Sequence, residues 1–326
     1  MIRQFRNLTP VNIFFLVVIA LVLRVGAFVQ LPEALEFNFV ESFFRLLLPV
    51  PAQSPFSPSV NVILALAIIV IQAILLNRIV NRYNLLGKPS FLPALMYVTS
   101  SAVLMPFLVL SPTLLCNFFL IWLIEKFLSI YRRTDIGSVV FDMGMIVGLG
   151  TLIYFPFIAM LVLMYVCLMI FRPFSWREWL VGLLGFATIY FFVGVFYYVN
   201  DATDKFFSIW LPLATPFPNR LEIKFYDYIV LIPLIVILIL SAFSLRQNFF
   251  RSYVQVRKSF QVLSILFILA MISFYLKPQV RIYHFLLGAP AVSIFMAYYF
   301  LHAKKKWVFE SLYFLLLAFI IYFQFV

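Results

Sequence analysis

From Val11 onward the chain alternates long apolar runs with short breaks of charged, Pro, Asn or Gly residues. An apolar run of roughly 18 residues or more can cross a bilayer as a helix, because lipid offers backbone N–H and C=O groups no partner outside the segment. That criterion predicts about eleven spans. They fall at Val11 to Val29, Val60 to Ile79, Phe91 to Leu110, Thr113 to Ile130, Val139 to Leu152 and Phe155 to Phe171, then at Trp179 to Val199, Tyr228 to Phe243, Phe260 to Tyr275, Val280 to Leu301 and Trp307 to Phe325. Several are short or carry proline (Pro93, Pro106, Pro233, Pro290), so tilt, kinks or partial re-entry are expected. The expected fold class is all-α, a polytopic transmembrane helix bundle. No break is long enough for a separate domain, so residues 1–326 form one integral membrane domain. Its long connections lie near residues 30–59 and 200–227.

Composition agrees: 65% of residues are hydrophobic, 11% are charged, and the mean hydropathy is +1.08. A cytosolic enzyme, a nucleic-acid-binding module and a secreted disulfide scaffold are excluded. The net charge of +12 would suggest a polyanion partner on a soluble protein. Here its distribution matters more. With the N-terminus inside, seventeen Lys and Arg fall on one side and six on the other, with Arg24 inside the first span. Cytoplasmic loops collect positive charge, so the chain reads as N-in, C-out, and seven of the twelve acids fall outside. The first span lacks a small-residue cleavage site and reads as retained. Cys116 and Cys167 sit in apolar runs and read as small packing residues.

Absences narrow the chemistry. The two histidines, His284 and His302, cannot build a multi-histidine iron centre, and there is no His-Glu-x-x-His, P-loop or Gly-x-Ser-x-Gly pattern. The candidates lie at the outer ends of spans. In the first outer loop Glu33 and Glu36, spaced i,i+3 after the first span, can present a carboxylate as a general base. The stretch Leu35 to Leu48 reads as an interfacial helix on which Glu41 and Arg45 can simply pair. Arg24 must face the bundle interior, pair, or snorkel outward, and is a partner for a first-loop Glu or a lipid phosphate. At the head of the tenth span, Lys277, Arg281 and His284 precede Gly288. On an α-helix Arg281, His284 and Gly288 share a face. The cluster reads either as a phosphate site, since arginine offers paired donors, or as interfacial anchoring with His284 packed and hydrogen-bonded. Asp142, Glu125 and Lys126 read as structural pairs, and Tyr154-Phe155-Pro156 after Gly148-Leu149-Gly150 reads as a tight turn with close helix packing.

Taken in order, these features resemble the GT-C superfamily of polyprenyl-phosphate-sugar-dependent membrane glycosyltransferases. The residues that carry the likeness are Leu23-Arg24-Val25 leading to Glu33 and Glu36, Leu110-Ser111-Pro112-Thr113, Gly148 to Pro156, and Arg281 to Pro290. The chain also resembles an uncharacterised polytopic inner-membrane family of Bacteroidetes-type bacteria. The first resemblance implies a GT-C-like bundle in the bacterial inner membrane that transfers a sugar from a polyprenyl-phosphate donor to a cell-envelope acceptor. It implies a catalytic carboxylate at Glu36 or Glu33, with Arg24, Glu41, Lys277, Arg281 and His284 on the substrate side. The paired acids of that superfamily are absent from the first loop, so no metal ligands are assigned, no cofactor is expected, and a divalent metal has no support. Membrane lipids and envelope proteins are the other expected partners. The rival readings are a non-catalytic scaffold or subunit of an envelope or secretion assembly, and a lipid or solute transporter, although neither an internal repeat nor much midplane charge is evident.

Overall fold

The computed structural model describes residues 1–29, 57–131, 133, 135–208, 210, 228–248, 253–276 and 281–325. All elements in these residues are helical. The α-helices are α1 (Ile2–Phe5), α2 (Val11–Val22), α3 (Val25–Val29), α4 (Pro58–Arg82), α5 (Leu92–Ser100), α6 (Pro112–Ser129) and α7 (Gly137–Ile153). The chain continues through α8 (Ala159–Phe171), α9 (Trp176–Val199), α10 (Thr203–Ser208), α11 (Leu231–Asn248), α12 (Val254–Ile272), α13 (Ala289–His302) and α14 (Lys306–Phe325). Short 3-10 turns occupy Met105–Phe107, Phe155–Ile158, Ser273–Leu276 and Ile282–Gly288. Among the described residues seven helical segments are long and apolar enough to cross a membrane: Pro58–Arg82, Pro112–Ser129, Trp176–Val199, Leu231–Asn248, Val254–Leu276, Ile282–His302 and Lys306–Phe325. Val11–Val22, Gly137–Ile153 and Phe155–Phe171 are shorter apolar helices.

The bundle is built around α5 and α13. Every residue of α5 is buried, and α13 is buried almost throughout. They pack on each other, with α4 and α2 against α5, and α11 and α12 against α13. The outer helices bury one stripe each. On α14 it runs Phe309, Tyr313, Leu316, Ile320, Gln324, and on α9 it runs Gly182, Gly185, Phe186, Tyr190, Val193, Tyr197. Between apolar side chains and lipid there is little hydrophobic preference for either side, so close backbone approach at small residues selects the buried stripe. A Cβ at Gly144 would overlap the Gly182 carbonyl oxygen and the Phe186 backbone nitrogen, and one at Gly185 would overlap the Phe141 carbonyl. These contacts press α7 against α9 backbone to backbone.

Polar contacts tie down the end where Lys and Arg collect. Glu310 accepts from the Met1 ammonium and from the backbone N–H groups of Ile2 and Arg3 at 3.2 to 3.3 Å. Arg6 donates to the carbonyls of Phe300 and Ala303 at the end of α13, and its guanidinium lies 4.3 Å from the Phe309 ring centroid. Lys126 pairs with Asp142 at 2.6 Å and Arg82 with Glu125 at 2.9 Å, the structural role expected for these acids. Cys116 and Cys167 are free thiols buried in the packing.

Several expected spans are not continuous α-helices: the sixth begins and the ninth ends as a 3-10 turn, and three more are interrupted. The first breaks at Leu23–Arg24, the third ends at Ser100 and reaches Pro112 through the Met105–Phe107 turn, and the tenth begins as the 3-10 turn Ile282–Gly288. Proline explains the second interruption: Pro106 has no N–H to donate, and Pro112 starts a helix readily but cannot lie inside one. The opening of α6 follows, with Ser111 as N-cap accepting from Leu114 N–H and Pro112 in the first turn.

Replacing Gly185 by leucine should loosen the α7–α9 contact. Because the obstacle is a backbone carbonyl, the cost should reach or exceed the upper part of the usual overpacking range, about 3 kcal/mol. Thermal unfolding in detergent checks this; a Gly185→Leu protein that melts within a degree of wild type would refute the close-approach argument.

Candidate functional site: a membrane cavity floored by a 3-10 turn

The turn Ile282–Gly288 is non-α backbone inside the bundle, and side chains from neighbouring helices serve it. Thr113 donates to the Tyr283 carbonyl at 2.8 Å and Asn117 to the Leu286 carbonyl at 3.0 Å. Such breaks survive in lipid only where buried polar groups re-satisfy the freed backbone. His284 is 1% exposed. Its Nε2 lies 2.8 Å from the Ala270 carbonyl, which can only accept, so Nε2 carries the proton. Nδ1, 2.8 Å from the Tyr154 hydroxyl, then accepts from it in the neutral ring. Ser273 lies 3.3 Å from Nε2 and also donates to Ala270. His284 is therefore the packed, hydrogen-bonded residue, tying the turn to the end of α12 and to Tyr154.

The turn also corrects the expected shared face. With three residues per turn, positions three apart align, so Phe285 and Gly288 face one way and His284 and Leu287 another. Phe285 and Gly288 line a cavity of about 360 Å³, while His284 and Leu287 are buried away from it. A Cβ on Gly288 would strike the Met271 methyl, so the floor passes close under α12. Arg281, half-buried and extended, is the N-cap of the turn, four residues ahead of Phe285. The walls come from Leu231, Leu234 and Leu238 of α11, Phe267 and Met271 of α12, and Val103, Leu104 and Phe107 beyond α5. Apart from Ser100 and Tyr228 the lining is apolar. Pockets of this kind suit hydrocarbon chains.

Arg24 belongs to a different packing. It is 0% exposed, its Nη1 donates to the Ala20 carbonyl at 3.2 Å, and its Nε and Nη2 find no hydrogen-bond partner among the described residues. It lies where α2 stops and α3 begins, and α3 packs on α4 and on the end of α14. Gln324 closes that break, donating to the Leu23 carbonyl at 2.5 Å and accepting from Gly26 N–H at 3.2 Å. A Cβ at Gly26 would overlap Gln324, so glycine is what admits the glutamine. Arg24 is not among the residues lining the cavity. Glu33, Glu36, Glu41 and Lys277 lie outside the described residues, as do Leu35 to Leu48. Among the described residues no three His, Cys, Asp or Glu side chains group together as a metal site would need.

Sequence reasoning missed Asn117, Gln72 and Gln324, and it singled out Thr113 without this role. Gln72 donates to the Leu114 carbonyl at 2.7 Å and accepts from Tyr97 at 2.8 Å, and Asn61 accepts from Leu110 N–H at 2.8 Å. The available signal was an amide side chain within an apolar run, which costs too much in lipid unless it is paired.

This fold defines a polytopic helical membrane protein with an apolar cavity among its helices. The chain belongs to a family of unknown function (DUF6427), whose signature matches residues 37–326. No curated protein and no solved structure matches it.

Replacing Gln324 by leucine leaves the Leu23 carbonyl and Gly26 N–H without their partner and should cost about 1–3 kcal/mol. Thr113→Val and Asn117→Leu should each cost about 1 kcal/mol. Chemical or thermal unfolding in detergent measures all three; a Gln324→Leu protein as stable as wild type would show that the break needs no side-chain partner.

Proposed function

We propose that this is a GT-C-like protein of the bacterial inner membrane, with about eleven spans and N-in, C-out topology. It binds a polyprenyl-phosphate-linked sugar and transfers the glycosyl group to a cell-envelope acceptor on the outer face. The observation that supports this reading is the 360 Å³ apolar cavity floored by Phe285 and Gly288 of the turn that Arg281 caps. An isoprenoid chain requires an apolar slot, and its phosphate requires a fixed cation near the head of that slot. Arginine meets the second need with paired donors.

In this reading Glu36 or Glu33 takes the acceptor hydroxyl proton as the acceptor oxygen attacks the sugar C1. The bond from C1 to the phosphate oxygen breaks, and the phosphate leaves with the electron pair. Arg281 and Lys277 offset the charge gained by the departing phosphate. His284 keeps the turn in place, Arg24 offers a buried guanidinium to an acid or phosphate of the outer side, and Glu41 pairs or lines the approach. One observation favours a second reading, a non-catalytic scaffold or subunit of an envelope assembly: no carboxylate lines the cavity among the described residues.

Assays of purified protein with a panel of polyprenyl-phosphate sugars decide between them. Glu36→Gln or Glu33→Gln should lower transfer at least about 100-fold, and Arg281→Ala should weaken donor binding about tenfold or more. If no polyprenyl phosphate binds and folded variants support growth as wild type does, the catalytic reading fails. Topology is tested separately. A cysteine replacing Asp204 should react with a membrane-impermeant maleimide in intact spheroplasts, and one replacing Lys305 only after lysis; the reverse pattern inverts the orientation.

A further inference from the structure

The apolar cavity does not end at the turn. A second cavity, of about 350 Å³, shares Leu238 and Phe267 with the first and continues down the seam between α11 and α12. Ala242 and Leu245 line one wall, Ser264 and Ile268 the other, and Phe295 of α13 forms the floor. Ile235 and Ile268 line the seam yet are 49% and 53% exposed, so it opens sideways to the surrounding lipid.

The far end of the seam is basic. Arg246 follows the lining residue Ala242 by one helical turn, and Arg257 precedes the lining residue Ser264 by two. Helical periodicity therefore puts one arginine on each wall beyond the apolar lining, where α11 hands over to α12. Arg246 is exposed and makes no ion pair among the described residues, and Arg257 is half-buried, followed by Lys258. A laterally open slot with an arginine one or two turns beyond its lining on each wall matches a molecule with a hydrocarbon tail and an anionic phosphate head.

We propose that this seam is a binding site for an anionic phospholipid from the leaflet on the arginine side. Its phosphodiester lies between Arg246 and Arg257, and one acyl chain lies along Ala242, Ser264 and Ile268. Arginine pairs with phosphate oxygens in parallel, and such basic pockets between membrane helices select anionic head groups. The site lies at the opposite end of the seam from Arg281. Its test reads phospholipid binding rather than sugar transfer, so it stands or falls separately from the donor reading.

The full chain in neutral detergent is melted with added dioleoyl phosphatidylglycerol or dioleoyl phosphatidylcholine. Phosphatidylglycerol should raise the midpoint by about 3 °C or more, and phosphatidylcholine should not. The Arg246→Gln/Arg257→Gln pair should lose most of that rise. Ala242→Phe, which fills the seam with the charges intact, should lose it too. The Arg78→Gln/Arg177→Gln pair, two exposed arginines on α4 and α9, helices that pack mainly against α5, α6 and α7, should keep it. Equal stabilisation by both lipids, equal loss from both charge pairs, or a full rise in Ala242→Phe overturns the proposal. If Ala242→Phe fails to fold, native mass spectrometry decides: wild type should retain phosphatidylglycerol that the arginine pair releases, and equal retention refutes the site.

Discussion

Inside a bilayer every backbone polar group needs a protein partner, because neither water nor lipid supplies one. Most of this chain meets the demand with unbroken helix. Where it does not, a polar side chain from another helix takes over: Gln324 at the Leu23–Arg24 break, Asn61 at Leu110, and Thr113 and Asn117 along Ile282–Gly288. The partners are distant in sequence, and the last helix closes the first. The breaks and their partners therefore specify which helices must be neighbours, a task that exchangeable apolar side chains perform poorly in lipid.

The cavity follows from the same demand. A regular α-helix through residues 282–288 would present a different set of side chains to α11 and α12. The 3-10 turn instead places Phe285 and Gly288 together under the slot and directs His284 toward Tyr154 and Ala270. Histidine here spends one ring nitrogen on the Ala270 carbonyl and the other on the Tyr154 hydroxyl. Arg281 stands at the edge of this rigid piece, so its position is set by bonds made several residues away.

Much was legible in the residue order. The all-helical class, the structural pairing of Asp142 and Glu125, the tight turn at Phe155 and the burial of both cysteines followed from run length, charge placement and residue size, although Arg82 as the partner of Glu125 did not. Helix faces were less legible. In a soluble helix the apolar stripe marks the buried side, but on α9 and α14 both sides are apolar, and the buried stripe is betrayed only by Gly182, Gly185 and Gln324.

The shared face expected for Arg281, His284 and Gly288 failed for a related reason. Apolar continuity cannot distinguish 3.6 from 3.0 residues per turn, and the tighter winding is held by Thr113 and Asn117, some 170 residues earlier in the chain. The sequence by itself determined that this chain lives in a membrane as helices, because hydrophobic length is a local property. Only the tertiary structure decided where those helices break, which side chains close the breaks, and that a laterally open apolar seam lies between α11 and α12, because each depends on partners brought together from distant parts of the chain.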